Sequence, residues 1–166
     1  MKFVKTFEAF NYDSMQHIGH GTESEVYFDG DYAYRVTNAS ERDFKYIYDR
    51  IIAPNLGKTH KNVVKIYDAF YENGKMIVKM ERLQKLDTSN VDQKEFARVV
   101  DEIHMAQDDI TNLPPIIKET KDPIIKKMVQ SIYDAGFQLG ITTLDINIDN
   151  LMYDPKTDEY KQIDIF

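Results

Sequence analysis

The chain has 166 residues, of which 42% are hydrophobic, 12% aromatic and 30% charged. This composition can fill a folded core and excludes the apolar depletion that marks disordered chains. The net charge of −7 disfavours nucleic-acid binding through the general surface, and the lack of cysteine excludes disulfides and thiolate metal sites. No segment has the apolar length of a signal peptide or a transmembrane helix, so we expect a cytoplasmic protein without membrane contacts.

The first half of the chain alternates polar and apolar residues as strands do, with one helical segment between them. Turn residues around Gly30 and Gly74 indicate two hairpins. Helical spacing predicts a helix over residues 40–52, with Ser40 as its N-cap and Pro54 as a stop signal. Alternation predicts strands at 14–19, 24–29, 31–37, 63–70 and 75–81.

The second half is mainly helical. Asp92 and Glu95 have the spacing of a capping box, and the apolar stripe that follows reaches Ile110. Two prolines at 114–115 are expected to interrupt this pattern, and a second helix is predicted to begin at Asp122. That helix ends near Gly136 or Gly140, and two short apolar segments at 148–153 and 161–165 predict a final hairpin.

Two candidate sites for phosphate chemistry lie in the first half. Gly19 and Gly21, placed between two predicted strands, let the backbone approach a phosphate, with Ser24 where a third glycine is usual. Arg35 on the following strand could neutralise phosphate charge. The alternatives are an ordinary glycine hairpin and an arginine exposed to water.

Two further candidate sites lie near the C-terminus. Asp145 and Asn150 flank a short loop, where a carboxylate can accept a proton and an amide oxygen suits magnesium. Asp164 lies in an apolar run, in which an ionised carboxylate needs a partner such as a metal. The alternatives are an Asx-rich turn and a carboxylate in water.

The order of these parts resembles the eukaryotic-type protein kinase family. A glycine loop, Ala33-Tyr34-Arg35, a helix, two strands, a connector, helices, Asp-x4-Asn and a final Asp-Ile-Phe follow one another as they do in that family. Segments 60–67, 76–83 and 140–145 are similar to family segments before the fourth strand, at the hinge and before the catalytic aspartate. The resemblance covers roughly residues 14–166 and implies an α+β, two-lobed kinase-like fold: an antiparallel N-lobe sheet with one helix in 1–83 and a reduced helical C-lobe in 84–166.

The resemblance implies that the chain binds ATP and Mg²⁺. The phosphate-covering loop would be formed by Gly19, Gly21 and Ser24, and Arg35 would contact the phosphates. Asp145 resembles the catalytic aspartate, whereas Asn150 and Asp164 resemble the magnesium ligands. The adenine would lie beneath Val26 and Ala33 and above Met152, beside the gatekeeper Met80 and the backbone groups of Glu81 and Leu83.

The chain also departs from the family pattern. Arg35 stands where a lysine is usual, and its helix partner is left open between Asp49 and Glu41. Thr143 and Leu144 replace the His-Arg pair that precedes the catalytic aspartate. The sequence ends after Asp-Ile-Phe, so we expect the platform for a peptide substrate to be missing.

Three functions are consistent with this resemblance. The first is a minimal protein kinase that transfers the γ-phosphoryl group to Ser or Thr of a protein substrate. The second is a pseudokinase that regulates a protein partner, with nucleotide stabilising its shape. A kinase acting on an antibiotic or small metabolite ranks last, because those relatives need further helices. A protein partner or a second copy of the chain could cover apolar surface on the helical part.

Overall fold

The computed structural model describes residues 15–20, with the main chain alone at 18–20, and residues 24–165. A five-stranded antiparallel sheet forms the N-terminal half, with its strands in the order β1-β2-β3-β5-β4. All five predicted strands are confirmed, although β4 begins later than expected. The strands are β1 (Gln16–His20), β2 (Ser24–Asp29), β3 (Tyr32–Asn38), β4 (Ile66–Glu72) and β5 (Lys75–Glu81).

The two faces of this sheet have different partners. On β3, Ala33 belongs to the large hydrophobic core, whereas Tyr34 and Val36 form a small separate cluster with Ile77 of β5. Side chains alternate between faces along a strand, so Arg35 lies on the same face as Ala33. The β3 strand therefore directs Arg35 toward the rest of the molecule.

The inserted helix starts where predicted but ends later. The N-cap Ser40 accepts a hydrogen bond from a first-turn amide of α1 (Glu41–Ile47), which continues through a π-helical turn (Tyr48–Ile52) into a last turn at Ala53–Asn55. Pro54 and Gly57 together are predicted to close the helix: Pro54 lies inside this last turn, whereas Gly57, with a φ of 71°, follows its end. The preceding π-helical turn changes the hydrogen-bond pattern, and a residue without an N–H is tolerated at the start of the next turn.

Three helices and a small sheet form the C-terminal half. The predicted caps Asp92, Asp122 and Gly140 are confirmed, the last with a φ of 68°. Two predictions were wrong: the first helix ends before Ile110, and the prolines at 114–115 begin a helix instead of interrupting one. The elements are β6 (Gln84–Lys85), α2 (Gln93–Met105), α3 (Leu113–Glu119), α4 (Pro123–Leu139), β7 (Leu151–Asp154) and β8 (Glu159–Gln162).

The beginnings of α2 and α4 cap each other. The Asp92 carboxylate accepts the N–H of Glu95 at 2.9 Å, but the Glu95 carboxylate accepts the N–H groups of Lys121 and Asp122 at 2.8 Å each. Asp122 in turn accepts the N–H of Asp92 at 2.9 Å. These backbone donors lower the pKa of Glu95 and of Asp122. The predicted capping box is thus half formed, and its glutamate joins two helices.

The hydrophobic core is continuous between the two halves, with buried residues from the large sheet, the helices and the final hairpin. Main-chain bonds also cross between them: Gln162 of β8 donates to Asn62 O at 2.9 Å and accepts from Val64 N at 3.0 Å. The predicted division between residues 83 and 84 stays a prediction. Within the described part of the chain, no helix is long and apolar enough to cross a membrane.

Candidate functional site

Arg35 and Asp164 form a bidentate ion pair between the two halves of the molecule. The Arg35 Nη1 and Nη2 atoms donate to the Asp164 Oδ1 and Oδ2 atoms at 2.9 and 3.1 Å. The two residues are 129 positions apart in sequence, and their side chains are 18% and 24% exposed. The planar guanidinium matches both carboxylate oxygens, which makes this a strong and directional contact.

Asp145 and Asn150 are joined across the loop before β7. The Asn150 Nδ2 atom donates to Asp145 Oδ2 at 2.9 Å. Local bonds shape this loop, because the Asn147 side chain accepts the N–H of Asp149 and the Asn150 N–H reaches Asn147 O at 3.0 Å. Asn150 makes this contact through its nitrogen, which leaves its Oδ1 atom as a candidate oxygen ligand.

A buried glutamine connects these two pairs. Gln162 is 0% exposed, and its Nε2 atom lies 3.1 Å from Asp145 O and 3.4 Å from Asp164 O. The next residue, Ile163, donates its N–H to Asn150 O at 2.9 Å. Asp145, Asn150 and Asp164 therefore meet at the end of β8. Sequence reasoning missed Gln162.

A cavity of about 340 Å³ adjoins Asp145 and Asp164. Its other walls come from the inserted helix, at Arg50 and Asn55, and from the segment after α4, at Thr143 and neighbouring residues. The two carboxylates thus border open space, which is not lined by Arg35, by Asn150 or by any residue assigned to adenine.

The residues assigned to the adenine pocket belong to the continuous core. Ala33 and Met80 face each other on β3 and β5 and are 5% and 6% exposed, and Leu83 is 5% exposed. Val26 and Met152 are partly buried against the same core. Val26 pairs with Arg35 across β2 and β3, so this apolar wall continues to the ion pair.

The main chain of Glu81 is already engaged in part. Its N–H donates to Lys65 O at 3.0 Å, so this donor is not available to a ligand. The Glu81 side chain accepts the Lys65 N–H at 2.7 Å and the ammonium of Lys161 at 2.9 and 3.0 Å. Among the backbone groups assigned to adenine, those of Leu83 and the Glu81 carbonyl are the remaining candidates.

Lys161, Glu81 and Asp154 form a buried ionic cluster that sequence reasoning did not predict. The Lys161 ammonium, 5% exposed, also contacts Asp154 Oδ2 at 2.8 Å. Burial lowers the pKa of Lys161, but hydrogen bonds to Asp154 and Glu81 outweigh burial and raise it overall. For Asp154, burial raises the pKa, but Lys161 and local donors outweigh burial and lower it overall. The cluster fixes the end of β5 to the β7–β8 hairpin.

The predicted phosphate loop is described only in part. Gly19 pairs with Val26 on β2, and Ser24 begins β2 opposite Thr37. Gly21 lies outside the described residues. The strands on both sides of the loop are therefore established, and its contact with phosphates stays a prediction.

The sequence left open whether Asp49 or Glu41 pairs with Arg35. Among the described residues, neither of these two acids contacts it. Asp49 is held by Lys45 at 2.6 Å on the exposed side of the inserted helix, and Glu41 is exposed in the first turn of α1. Arg35 reaches Asp164 instead.

The donor set is compatible with Mg²⁺. In residues 15–20 and 24–165, no group of three or more His, Asp or Glu side chains is arranged to hold a metal. Mg²⁺ commonly uses one or two protein oxygens and completes its shell with water and phosphate oxygens. Asp164 and Asn150 would supply such oxygens, but both oxygens of Asp164 accept from Arg35 in this structure.

No protein-family model matches the chain, and no curated protein matches it by sequence. Among solved structures it is similar to the kinase domain of PknI from Mycobacterium tuberculosis, with 16% identity and a TM-score of 0.52 over 93% of this chain and 60% of that domain. A second structure of the same domain gives 16% identity and a TM-score of 0.54 over 90% of this chain and 56% of the other. The chain thus spans less than two thirds of these domains. It has a protein kinase-like α+β fold with a reduced helical part.

Proposed function

We propose that the chain binds ATP with Mg²⁺ beside the Arg35–Asp164 pair and transfers the γ-phosphoryl group to a Ser or Thr hydroxyl of a protein substrate. The convergence of Arg35, Asp145, Asn150 and Asp164 supports this proposal most directly. The bidentate pair brings together residues 129 positions apart, and Asp145 and Asn150 are bonded to each other and to the same segment.

Each residue has a distinct role in the proposed site. Arg35 contacts the phosphates, since its guanidinium lies beside the apolar wall that receives adenine. Asp145 is exposed at the end of its loop and orients the attacking hydroxyl, whose proton it accepts. Mg²⁺ held by Asn150 and Asp164 supplies charge neutralisation for the phosphate oxygens. Phosphoryl transfer depends mainly on such positioning and electrostatic stabilisation.

A pseudokinase is the second candidate function, and one observation favours it. The Arg35 fork engages both carboxylate oxygens of Asp164, which are the oxygens that a metal would use. A chain in which this pair persists would bind nucleotide without productive metal placement. Its role would then be to bind a protein partner.

Nucleotide binding can be tested by thermal unfolding with and without ATP and Mg²⁺. Because a ligand that binds only the folded state stabilises it, about 2.7 kcal/mol is expected at 100 times the dissociation constant. Asp164→Asn should lose most of this stabilisation. Asp149→Asn, which changes an exposed carboxylate in the neighbouring Asp145–Asn150 loop, is the control and should keep it. No stabilisation of the unmodified protein would exclude nucleotide binding and with it the first function.

Phosphoryl transfer can be tested with γ-labelled ATP and candidate protein substrates. Asp145→Ala should reduce labelling on the order of 100-fold or more, the usual contribution of a positioned acid–base group. Equal labelling by both proteins would show that Asp145 is not the catalytic residue. Nucleotide binding without any labelling would favour the pseudokinase.

A further inference from the structure

The side chain of Gln162 lies between the two pairs that form the proposed site. Its Nε2 atom faces the main-chain oxygens of Asp145 and Asp164 at 3.1 and 3.4 Å, and the residue is 0% exposed. Both partners are carbonyl oxygens, which can only accept hydrogen bonds. The atom that faces them must therefore be the amide nitrogen, which carries the only donors of this side chain.

We propose that Gln162 is a positioning residue, which holds the loop of Asp145 and the segment of Asp164 at a fixed separation. This inference rests on the proposed function, because the positioned carboxylates are those assigned to catalysis and metal binding. Gln162 touches main-chain oxygens and no reacting group, so it acts through the two aspartates.

The main chain of Gln162 gives this side chain a rigid support. Its N–H donates to Asn62 O at 2.9 Å and its carbonyl accepts Val64 N–H at 3.0 Å. The neighbouring Ile163 N–H holds Asn150 O at 2.9 Å. One segment thus contacts the connection to the N-terminal sheet on one side and the Asp145–Asn150 loop on the other. Because its main chain is bonded to this connection, the Gln162 side chain can hold both aspartates at a fixed position relative to the sheet.

Stability alone would favour a different side chain at this position. The Gln162 Oε1 atom is buried and has no hydrogen-bond partner among the described residues. A buried acceptor without a partner is unfavourable, and an apolar side chain of the same length would avoid that cost. The amide is therefore best explained by its two donor contacts.

The substitution Gln162→Met removes both donors and keeps the length of the side chain. Gln138→Met is the matched control, because the Gln138 amide also makes two bonds, to Asn62 N and Asn62 Oδ1 at 2.9 and 3.1 Å, but contacts neither aspartate. Gln162→Asn is a second variant, should the first fail to fold. Asparagine keeps the amide, but its shorter side chain moves the amide away from the carbonyls of Asp145 and Asp164.

Hydrogen exchange in the protein without nucleotide measures the positioning contact directly. Gln162→Met or Gln162→Asn should speed exchange of the amides of Asn147 and Asn150 by roughly tenfold, as expected for loss of one or two hydrogen bonds. Gln138→Met should leave these amides unchanged. Unchanged exchange in folded Gln162 variants would overturn the proposal, whether or not the protein binds nucleotide.

The kinetic consequence distinguishes a positioning role from a structural one. Gln162→Met should lower kcat on the order of 10- to 100-fold with little change in the KM for ATP, because small displacements of catalytic groups have effects of this size. Equal losses in Gln162→Met and Gln138→Met would overturn the positioning role. Faster exchange in a protein that binds no nucleotide would instead leave the contact established and reject the proposed function.

Discussion

The guanidinium of Arg35 and the carboxylate of Asp164 are matched in shape as well as in charge. Both side chains are partly buried, at 18% and 24% exposure, where two parallel N–H···O bonds are weakened less by water than on an open surface. A lysine ammonium contacts both oxygens from a single nitrogen, so it cannot form the two parallel N–H···O bonds of a guanidinium. The arginine therefore fixes the orientation of Asp164, which a lysine would leave less restrained.

Removing the guanidinium of Arg35 should destabilise the protein. Arg35→Met leaves the Asp164 carboxylate partly buried without its fork, and we expect the free energy of unfolding to fall by about 2 kcal/mol. Lys45→Met, which removes the exposed pair with Asp49, should cost only about 0.3–0.5 kcal/mol. Urea denaturation measures both values. Similar losses in the two variants would contradict the importance assigned to the Arg35–Asp164 pair.

At the scale of elements, the buried cluster of Lys161, Glu81 and Asp154 connects β5 with the β7–β8 hairpin. Lys161→Met leaves two carboxylates without their cation, and breaking a buried ion pair from one side typically costs about 3–5 kcal/mol. Lys61→Met is the control: its ammonium contacts Glu159 at 3.3 Å on the same hairpin but is 64% exposed. A loss of about 1 kcal/mol or less is expected there, again from urea denaturation. A comparably small loss in Lys161→Met would contradict the connecting role.

The same cluster predicts how stability depends on acidity. The pKa of Asp154 in the folded protein lies below its usual value of 3.8, because the bonds from Lys161 and local donors outweigh burial. Its stabilising contribution is therefore present above that usual value and is lost as the pH falls toward the lowered pKa. Asp154→Asn should show a shallower loss of stability than the unmodified protein on acidification below about pH 4. Urea denaturation at several pH values measures this dependence. An unfolding free energy that falls equally with pH in both proteins would contradict this assignment.

Local chemistry predicted where three of the helices begin. Ser40, Asp92 and Asp122 were identified as caps because a side-chain oxygen satisfies free amides within its own first turn. The bonds of Glu95 to the beginning of α4 depend on residues 26 and 27 positions away. Such tertiary contacts leave no periodic signal in the sequence.

At the scale of the whole molecule, the order of motifs predicted the kinase-like fold, and the structure brings the predicted Arg35, Asp145, Asn150 and Asp164 together. The sequence did not reveal Gln162 or Lys161, because a polar residue in a strand does not indicate which partners it meets. The direction of Arg35 toward Asp164, and not toward the inserted helix, likewise depends on how β3 faces the C-terminal half. Residue types predicted which side chains would form the site, its chemistry stays a prediction, and packing determined the contacts among these side chains.

A crystal structure with Mg²⁺ and a non-hydrolysable ATP analogue would locate the proposed site. We expect adenine between Val26 and Met152, phosphates beside Arg35, and the metal bound to Asn150 and Asp164. Nucleotide bound on another surface, or Asp145 and Asp164 far from the phosphates, would contradict this expectation.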